Sequence, residues 1–305
     1  MKKTVIKLAI FALLVVAVDM LVGVGADFLR SHTKGGETGR LIYINNNTEE
    51  DLLVVGSSRA IHHYNPEILE DETGLSVYNA GTDGNGILLF YMQLCNILRH
   101  HTPKFIIYDF QYSFDLSADD HSKYLNLQKP FYGQNQQVDS VFLAVDWRNK
   151  YKNLSQAYIH NSKLPQYISD FIRPLEPNIK GYKPLNGQMT PGQFQATSYQ
   201  TLDVDSVKRD YINSYIRLCR EHEVGLAFVV SPLYFPSDKN VTVEPIAQIA
   251  RENGVRMLDF SDSDAFLGND SLFVDPTHLN AAGADLLTKM VADSLREDIS
   301  LRSQH

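Results

Sequence analysis

The stretch Asp51-Leu52-Leu53-Val54-Val55-Gly56-Ser57-Ser58-Arg59-Ala60 is the part of the sequence that decides the fold. A short run of leucine and valine stops at a glycine, and two hydroxyls and an arginine follow at once. This pattern predicts a buried strand that ends in a tight turn and presents a serine, where a nucleophile would lie. Serines in this position also cap helices by accepting hydrogen bonds from free backbone N–H groups, so the stretch alone leaves both roles open.

The rest of the chain alternates predicted strands with predicted helices. After the first strand at 52–55, further strands are predicted at 75–79, 104–110, 226–232 and 255–260, and helices at about 66–72, 87–100, 204–223, 243–253 and 280–297. The side chain of Asn280 can cap the last helix. Nearly continuous hydrophobicity is typical of parallel strands that are covered on both faces. We therefore predict an α/β fold of the flavodoxin-like type, with three layers (α/β/α), a mostly parallel five-stranded sheet and ligands at the carboxyl ends of its strands.

The N-terminus predicts one transmembrane helix. Basic residues at positions 2, 3 and 7 accompany an apolar run at 8–26 that only Asp19 interrupts, close to the roughly 20 residues that cross a bilayer. The basic residues favour the cytoplasmic side for the N-terminus, so the following domain is expected outside the cytoplasm, in the periplasm or at the cell surface. Val24-Gly25-Ala26 resembles a signal-peptidase site, but the length of the run favours an uncleaved anchor. We predict an anchor or signal at 1–28, a linker at 29–48 and the α/β domain at 49–298.

Composition limits the partners and the cofactors. A net charge of −8 over 305 residues disfavours nucleic acid, which requires a clustered basic face. With only Cys95 and Cys219, no disulfide framework is indicated, although a single bridge remains open. No group of residues has zinc-ligand spacing, and the adjacent pairs His62-His63 and His100-His101 are interpreted as surface histidines. We predict no metal and no cofactor.

An insertion is predicted at about 111–201, because the periodicity fades there and tyrosine, asparagine, glutamine and proline become frequent. Helices are predicted within it at 138–151 and 154–161. Such a segment either decorates the domain or carries substrate contacts at the mouth of the sheet.

The second stretch that matters is Asp275-Pro276-Thr277-His278, just before the last predicted helix. A serine alcohol becomes a nucleophile when a base takes its proton and a third group orients that base. Asp275 and His278 supply both groups within four residues, and the fold brings them to the same edge of the sheet as Ser58. The sequence therefore predicts a catalytic Ser58, His278 and Asp275.

These motifs resemble those of the SGNH (GDSL-like) hydrolase superfamily, and the overall layout resembles its membrane-anchored members that modify envelope polysaccharides. Gly56-Ser57-Ser58 resembles the first sequence block, Asn79-Ala80-Gly81-Thr82-Asp83-Gly84 the second, and Asp275-Pro276-Thr277-His278 the fifth. The resemblance implies that Ser58 is the nucleophile, His278 the base and Asp275 its orienting group. It also implies that the backbone N–H groups of Ser58 and Gly84 bind the oxyanion.

One block departs from the family pattern. After the third strand, where an asparagine should donate to the oxyanion, the sequence is Phe110-Gln111-Tyr112-Ser113-Phe114-Asp115. Asn85, Gln111 or Ser113 can replace that donor.

Two residues are candidates for substrate binding. Arg59 either meets an anionic or sugar substrate or pairs with a carboxylate such as Asp83 or Asp109. Tyr234, after the fourth strand, can stack on a sugar ring.

The expected function is that of an extracytoplasmic serine esterase or O-acyltransferase acting on acyl esters, foremost acetyl esters, of cell-envelope or extracellular carbohydrate. Envelope proteins are further possible partners. The alternative is a non-catalytic domain of the same fold that binds glycan or supports an envelope assembly complex. A third interpretation is a structural α/β protein in which Ser58 only caps a helix.

Overall fold

The structure is a computed structural model that describes residues 1–173, 180–190, 192–196 and 203–303. Its helices are α1 (Lys2–His32), α2 (Gly36–Asn46), α3 (Ser58–His63), α4 (Pro66–Thr73), α5 (Ile87–Ile97), α6 (Tyr112–Asp115), α7 (Ser122–Leu125), α8 (Gln136–Val145), α9 (Asn149–Lys152), α10 (Gln156–His160), α11 (Leu164–Ile172), α12 (Ser206–Glu221), α13 (Lys239–Thr242), α14 (Glu244–Glu252) and α15 (Ala281–Ser303). Its strands are β1 (Leu52–Gly56), β2 (Val77–Asn79), β3 (Phe105–Asp109), β4 (Gly225–Val230), β5 (Arg256–Asp259), β6 (Phe273–Asp275) and β7 (His278–Leu279). Short 3-10 helices lie at Lys129–Phe131 and Asp270–Leu272.

The chain forms two compact units. The first comprises Met1–Asn47 and His121–Pro177, and the second comprises Thr48–Asp120 and Asn178–His305. The second unit contains all seven strands, and the first contains α1, α2 and α7 to α11.

The central sheet of the second unit has the order β2-β1-β3-β4-β5, and all of its pairings are parallel. The predicted three-layer α/β fold with a five-stranded sheet is therefore confirmed. The strand order reverses direction between β1 and β3, which is the point where open α/β sheets bind ligands at the carboxyl ends of their strands. Gly56 pairs with Asp109 at that end.

Both faces of the sheet are covered, which explains the hydrophobic runs that predicted it. Leu52 and Val54 of β1 belong to a buried cluster that includes residues of α4 and α15. On the other face, the Tyr108 ring of β3 contacts the Phe90 ring of α5 and the Tyr215 ring of α12, with ring centroids 5.7 and 5.4 Å apart.

The helix ends follow their local signals. Gly74 ends α4 in the left-handed conformation, with φ of 70°. The Asn280 side-chain oxygen accepts a hydrogen bond from the Gly283 N–H at 3.0 Å, so the predicted cap of the last helix is confirmed.

The first unit differs from the sequence prediction in several segments. Helix α2 lies within the segment predicted as a linker, and the Asp170 carboxylate holds it by accepting from the Thr38 N–H at 2.9 Å. The helix predicted at 138–151 is divided into α8 and α9 at Asp146, whose carboxylate accepts from the Arg148 N–H. Helix α11 was not predicted, whereas α10 lies where a helix was expected. Positions 174–179, 191 and 197–201 of the predicted insertion lie outside the described residues.

Candidate active site

The turn after β1 is built on a glycine that no other residue can replace without strain. Gly56 has φ of +145°, and a Cβ at this position would lie 2.5 Å from the Asp109 carbonyl oxygen. The chain therefore passes from strand to helix within one residue, and Ser58 is the first residue of α3. The first N–H groups of a helix have no acceptor within the helix, so the Ser58 N–H is available at the strand end.

The structure brings the three predicted catalytic side chains together in hydrogen-bonding order. The Ser58 Oγ lies 2.8 Å from the His278 Nε2, and the His278 Nδ1 lies 2.8 Å from the Asp275 Oδ2. Strands β6 and β7 form a hairpin that presents Asp275 and His278 on either side of a two-residue turn. Because the carboxylate accepts a hydrogen bond from the Nδ1–H, the neutral imidazole leaves Nε2 free to accept a hydrogen bond from the serine hydroxyl.

Asp275 is held as an ionised acceptor. Its Oδ1 accepts hydrogen bonds from the Thr277 N–H at 2.8 Å, the Thr277 hydroxyl at 2.9 Å and the His278 N–H at 2.9 Å. Partial burial raises the pKa of Asp275, but these bonds and the His278 ring outweigh that effect and lower the pKa to about 2. The carboxylate can therefore orient His278 without taking its proton.

His63 is a part of this site that the sequence did not reveal. The interpretation of His63 as a surface histidine is wrong, because its side chain is fully buried and its Nε2 accepts from the Leu279 N–H at 3.0 Å. Burial lowers the pKa of His63 well below its usual range, and the nearby His278, Arg59 and His62 add to the effect. Two hydrogen bonds thus join α3 to the strand of the base, from Ser58 to His278 and from the Leu279 N–H to His63. The only signal for His63 in the sequence is that it lies five residues after Ser58.

His62 occupies the open side of the same helix. Its Nδ1 lies 2.7 Å from the Lys183 carbonyl oxygen, and its Nε2 lies 3.5 Å from the Asp83 Oδ1. The His62 and His278 rings meet edge to face, with centroids 5.9 Å apart. A histidine therefore flanks the base, and the Asp83 carboxylate lies next to that histidine.

Arg59 points into the domain rather than toward a substrate. It is 5% exposed, its Nη2 donates to the Phe110 carbonyl oxygen at 2.5 Å, and its Nε lies 3.4 Å from the Asp109 Oδ1. The Asp109 Oδ2 accepts from the Tyr64 hydroxyl at 2.6 Å and from the Ser231 hydroxyl. Of the two roles considered for Arg59, the structure shows the pairing with the Asp109 carboxylate, and contact with a substrate stays a prediction.

The chain after β3 folds around a second buried carboxylate instead of presenting an asparagine. The Asp115 Oδ1 accepts from the Tyr108 hydroxyl and its Oδ2 from the Gln111 N–H, both at 2.8 Å. Burial raises the pKa of Asp115 to about 7, against the opposing effect of these bonds. The carboxyl group fixes α6, and Ser113 within α6 is exposed.

The other predicted oxyanion donors lie on the glycine turn after β2. Gly84 is exposed and has φ of +66°, which favours glycine. The Asn85 amide donates to the Asp83 carbonyl oxygen at 2.7 Å, so one of its two N–H bonds is engaged within the turn. The oxyanion roles of Ser58, Gly84, Asn85 and Ser113 stay predictions.

Tyr234 lies beside the turn that carries Asp275. Its N–H donates to the Pro276 carbonyl oxygen at 3.0 Å, and its hydroxyl donates to the Asp270 Oδ1 at 2.7 Å. Its ring also meets the Phe273 ring edge to face. The side chain is partly buried, so its contact with a sugar ring stays a prediction.

Comparison with known proteins finds similar folds at low identity. No family model and no curated protein matches the chain. Among solved structures, the chain is similar to a proposed lipolytic protein of the G-D-S-L family from Desulfitobacterium hafniense DCB-2 (11% identity, 79% of this chain and 97% of that chain, TM-score 0.42). It is also similar to a proposed acylhydrolase from Bacteroides fragilis NCTC 9343 (9%, 83% and 90%, TM-score 0.41) and to a proposed platelet activating factor from Streptococcus pneumonia (14%, 93% and 99%, TM-score 0.38).

Proposed function

We propose that this protein is a serine esterase or O-acyltransferase of the SGNH type that acts on acyl esters of cell-envelope or extracellular carbohydrate, with acetyl as the acyl group. The observation that carries the proposal is the continuous hydrogen-bonded chain from Ser58 through His278 to Asp275 at the carboxyl end of β1. A helix-capping serine needs no histidine on its hydroxyl, and a structural histidine needs no ionised carboxylate behind it.

The reaction uses these groups in sequence. The His278 Nε2 takes the Ser58 hydroxyl proton as Oγ attacks the ester carbonyl, and the N–H groups of Ser58 and Gly84 stabilise the oxyanion. His278 then gives the proton to the leaving alcohol, which yields an acyl-Ser58. Water or an acceptor hydroxyl attacks this ester with His278 again as base, so hydrolysis and transfer share every step but the last. Asp275 stays ionised throughout.

Helix α1 supports the proposed location. This helix is long and apolar enough to cross a membrane, and the lysines at its start favour a cytoplasmic N-terminus. The catalytic unit then lies outside the cytoplasm, on the same side of the membrane as envelope and extracellular carbohydrate. The choice of carbohydrate and of acetyl rests on this location and on the family resemblance.

A serine-directed fluorophosphonate tests the nucleophile. The full-length protein in detergent should be labelled at Ser58, with labelling lost in Ser58→Ala and retained in Ser57→Ala. Ser57 is a matched control, because it is the adjacent hydroxyl and its Oγ is buried. Equal labelling of the wild type and of Ser58→Ala would overturn the mechanism.

The second candidate function is a non-catalytic glycan-binding domain. The block after β3 favours it, because residues 110–115 contain no asparagine to donate to an oxyanion and Asp115 in this block instead accepts a hydrogen bond from the Tyr108 hydroxyl. Acetate release from an aryl acetate separates the two candidates. A rate above that of Ser58→Ala supports the enzyme, and a rate equal to it supports the binding domain.

A further inference from the structure

Helix α1 is bonded into the first unit at its only carboxylate within the apolar run. The Asp19 Oδ1 accepts from the Ser155 hydroxyl at 2.7 Å and from the Ala157 N–H at 2.9 Å, and its Oδ2 accepts from the Gln156 N–H at 2.8 Å. Four residues further on, Gly23 packs so closely that a Cβ there would lie 2.7 Å from the Gln156 Cγ. These contacts explain how an apolar helix tolerates a carboxylate, and they give α1 a structural partner that a cleaved signal would not need.

Three large apolar side chains close in the chain to residues 155–157 are open to solvent. Trp147 is 67% exposed, Tyr151 is 60% exposed and Leu154 is 75% exposed. The Trp147 and Tyr151 rings meet edge to face with centroids 6.1 Å apart, and Leu154 adjoins them in the chain, with its N–H donating to the Tyr151 carbonyl oxygen. Tryptophan and tyrosine are the residues that membrane interfaces favour. We call these three residues the aromatic surface.

The bonds from Asp19 to residues 155–157 set the depth of the aromatic surface. Asp19 precedes the end of the apolar run at Ala26 by seven residues, which is about 10 Å along a helix axis. Ser155, which follows the aromatic surface directly in the chain, is bonded to Asp19. If α1 spans the bilayer, the aromatic surface lies at the boundary of headgroups and acyl chains, where interfacial segments insert by about 5–10 Å.

Three lysines of the same unit complete an interfacial pattern. The Lys129 Nζ lies 4.5 Å from the centroid of the Tyr158 ring, and burial lowers the pKa of Lys129, with the nearby Lys152 and Lys163 lowering it further. Burial also lowers the pKa of Lys163, against the opposing effect of Glu37. The Asp146 Oδ2 accepts from one of these ammonium groups, that of Lys152, at 2.9 Å. Cations that repel one another gain from an added anion, and lipid phosphates supply one at this depth.

We propose that α1 is retained and that Trp147, Tyr151 and Leu154 insert beside it into the leaflet on the side of the catalytic unit, with Lys129, Lys152 and Lys163 at the phosphates of anionic lipids. The partner of this surface is the bilayer, because the surface adjoins the membrane-spanning helix and matches the chemistry of the interface. The first unit is then a membrane-docking module rather than a linker with an insertion.

The single tryptophan makes the test direct, because Trp147 is the only one in the chain. Full-length protein is reconstituted in vesicles of phosphatidylethanolamine and phosphatidylglycerol that contain lipids brominated either near the carbonyl end or near the methyl end of the acyl chain. We expect Trp147 fluorescence to be quenched, and more strongly by the shallow bromine. The positive control is Trp147→Phe with Val16→Trp in the middle of the apolar run of α1, whose fluorescence the deep bromine should quench. Quenching in this control but not for Trp147 overturns the proposal.

Two further measurements test its other parts. In the wild type, phosphatidylglycerol should shift the Trp147 emission to shorter wavelength. The Lys129→Gln/Lys152→Gln/Lys163→Gln variant should lose that shift. The control Lys289→Gln, at an exposed position of α15, should keep it. An equal shift in both variants contradicts the role of the lysine cluster. The intact mass of protein extracted from the membranes of a bacterial host should include α1, and a chain that begins after Ala26 contradicts retention.

Discussion

Two aspartates of the second unit, Asp275 and Asp109, lie at the carboxyl end of the sheet near Ser58 and have pKa values that are shifted in opposite directions. Asp275 is 37% exposed at its side chain, accepts four hydrogen bonds and has its pKa lowered to about 2. Asp109 is fully buried at the end of β3, and burial raises its pKa against the opposing effect of Arg59. The same side chain therefore serves two purposes, set by its surroundings.

The difference between the two aspartates indicates which side of the site controls the reaction rate and which side controls the stability. On the side of His278, a carboxylate near solvent can stabilise the positive charge that the base acquires during the reaction. On the side of β3, the buried pair of Asp109 and Arg59 fixes the chain at Phe110, where the family pattern would place a donor to the oxyanion. Changes on the first side should lower the rate, whereas changes on the second should first lower the stability.

The largest effect is expected for Asp275→Asn. An asparagine can donate to the His278 Nδ1, which reverses the tautomer and removes the acceptor at Nε2, so kcat should fall by about 10⁴-fold. The measurement is kcat for an aryl acetate with the full-length protein in detergent. Asp264→Asn, an exposed aspartate in the same part of the chain, is the control and should be unchanged. A loss below about tenfold for Asp275→Asn would mean that Asp275 does not orient the base.

The next largest effect is expected for Asp109→Asn, and it concerns stability. The substitution leaves the Arg59 guanidinium buried without its counterion, which costs about 3–5 kcal/mol. Hydrogen exchange at β1 and β3 should report this loss as reduced protection. The control is Asp51→Asn, because Asp51 pairs with Lys104 at 3.7 Å on the surface and such a pair is worth about 1 kcal/mol or less. Equal protection in both variants would remove the distinction between the two aspartates.

The sequence predicted the features that local patterns encode. Hydrophobic runs predicted the five parallel strands, and the motifs around Ser58 and His278 predicted the three side chains that the fold brings together. The sequence could not show which partner of Arg59 prevails, because the choice depends on the burial of Asp109. It also could not show the bond from the Leu279 N–H to His63, which joins residues 216 positions apart. The stability of α2 likewise depends on a distant carboxylate, that of Asp170.

A smaller effect is expected at His63, where a substitution tests the positioning of the base His278. His63→Leu removes the acceptor for the Leu279 N–H, so the strand that carries His278 loses its second hydrogen bond to α3. A misplacement of about 1 Å can cost about 10²-fold, and we expect a fall of this size in kcat with little change in KM. His63→Gln is the matched variant, because its amide oxygen can accept the same bond, and it should retain most of the activity. If both variants lose activity equally, the bond to Leu279 does not position the base.

The smallest expected effect is on the pH dependence of stability, and it compares the buried His63 with the more exposed Asp275. The folded protein keeps His63 neutral, since burial and the nearby His278, Arg59 and His62 lower its pKa well below the usual value of 6.5. The unfolded chain binds a proton there below about pH 6.5, so the contribution of His63 is complete above that pH and is lost as the pH falls below it. The slope from one such group is at most about 1.4 kcal/mol per pH unit.

His63→Gln should therefore flatten the acid limb of the stability profile, measured as protection of α3 amides from hydrogen exchange between about pH 7 and pH 5. Because His62 and His278 remain in the variant, the difference between the two profiles isolates His63. The Asp275 carboxylate adds no slope in this window, because its stabilisation is complete above its unfolded pKa of 3.8 and is lost only as the pH falls from there toward its lowered pKa of about 2. Parallel profiles for the wild type and the variant would show that His63 is not held neutral, and the second contact between α3 and the strand of the base would then depend on its protonation.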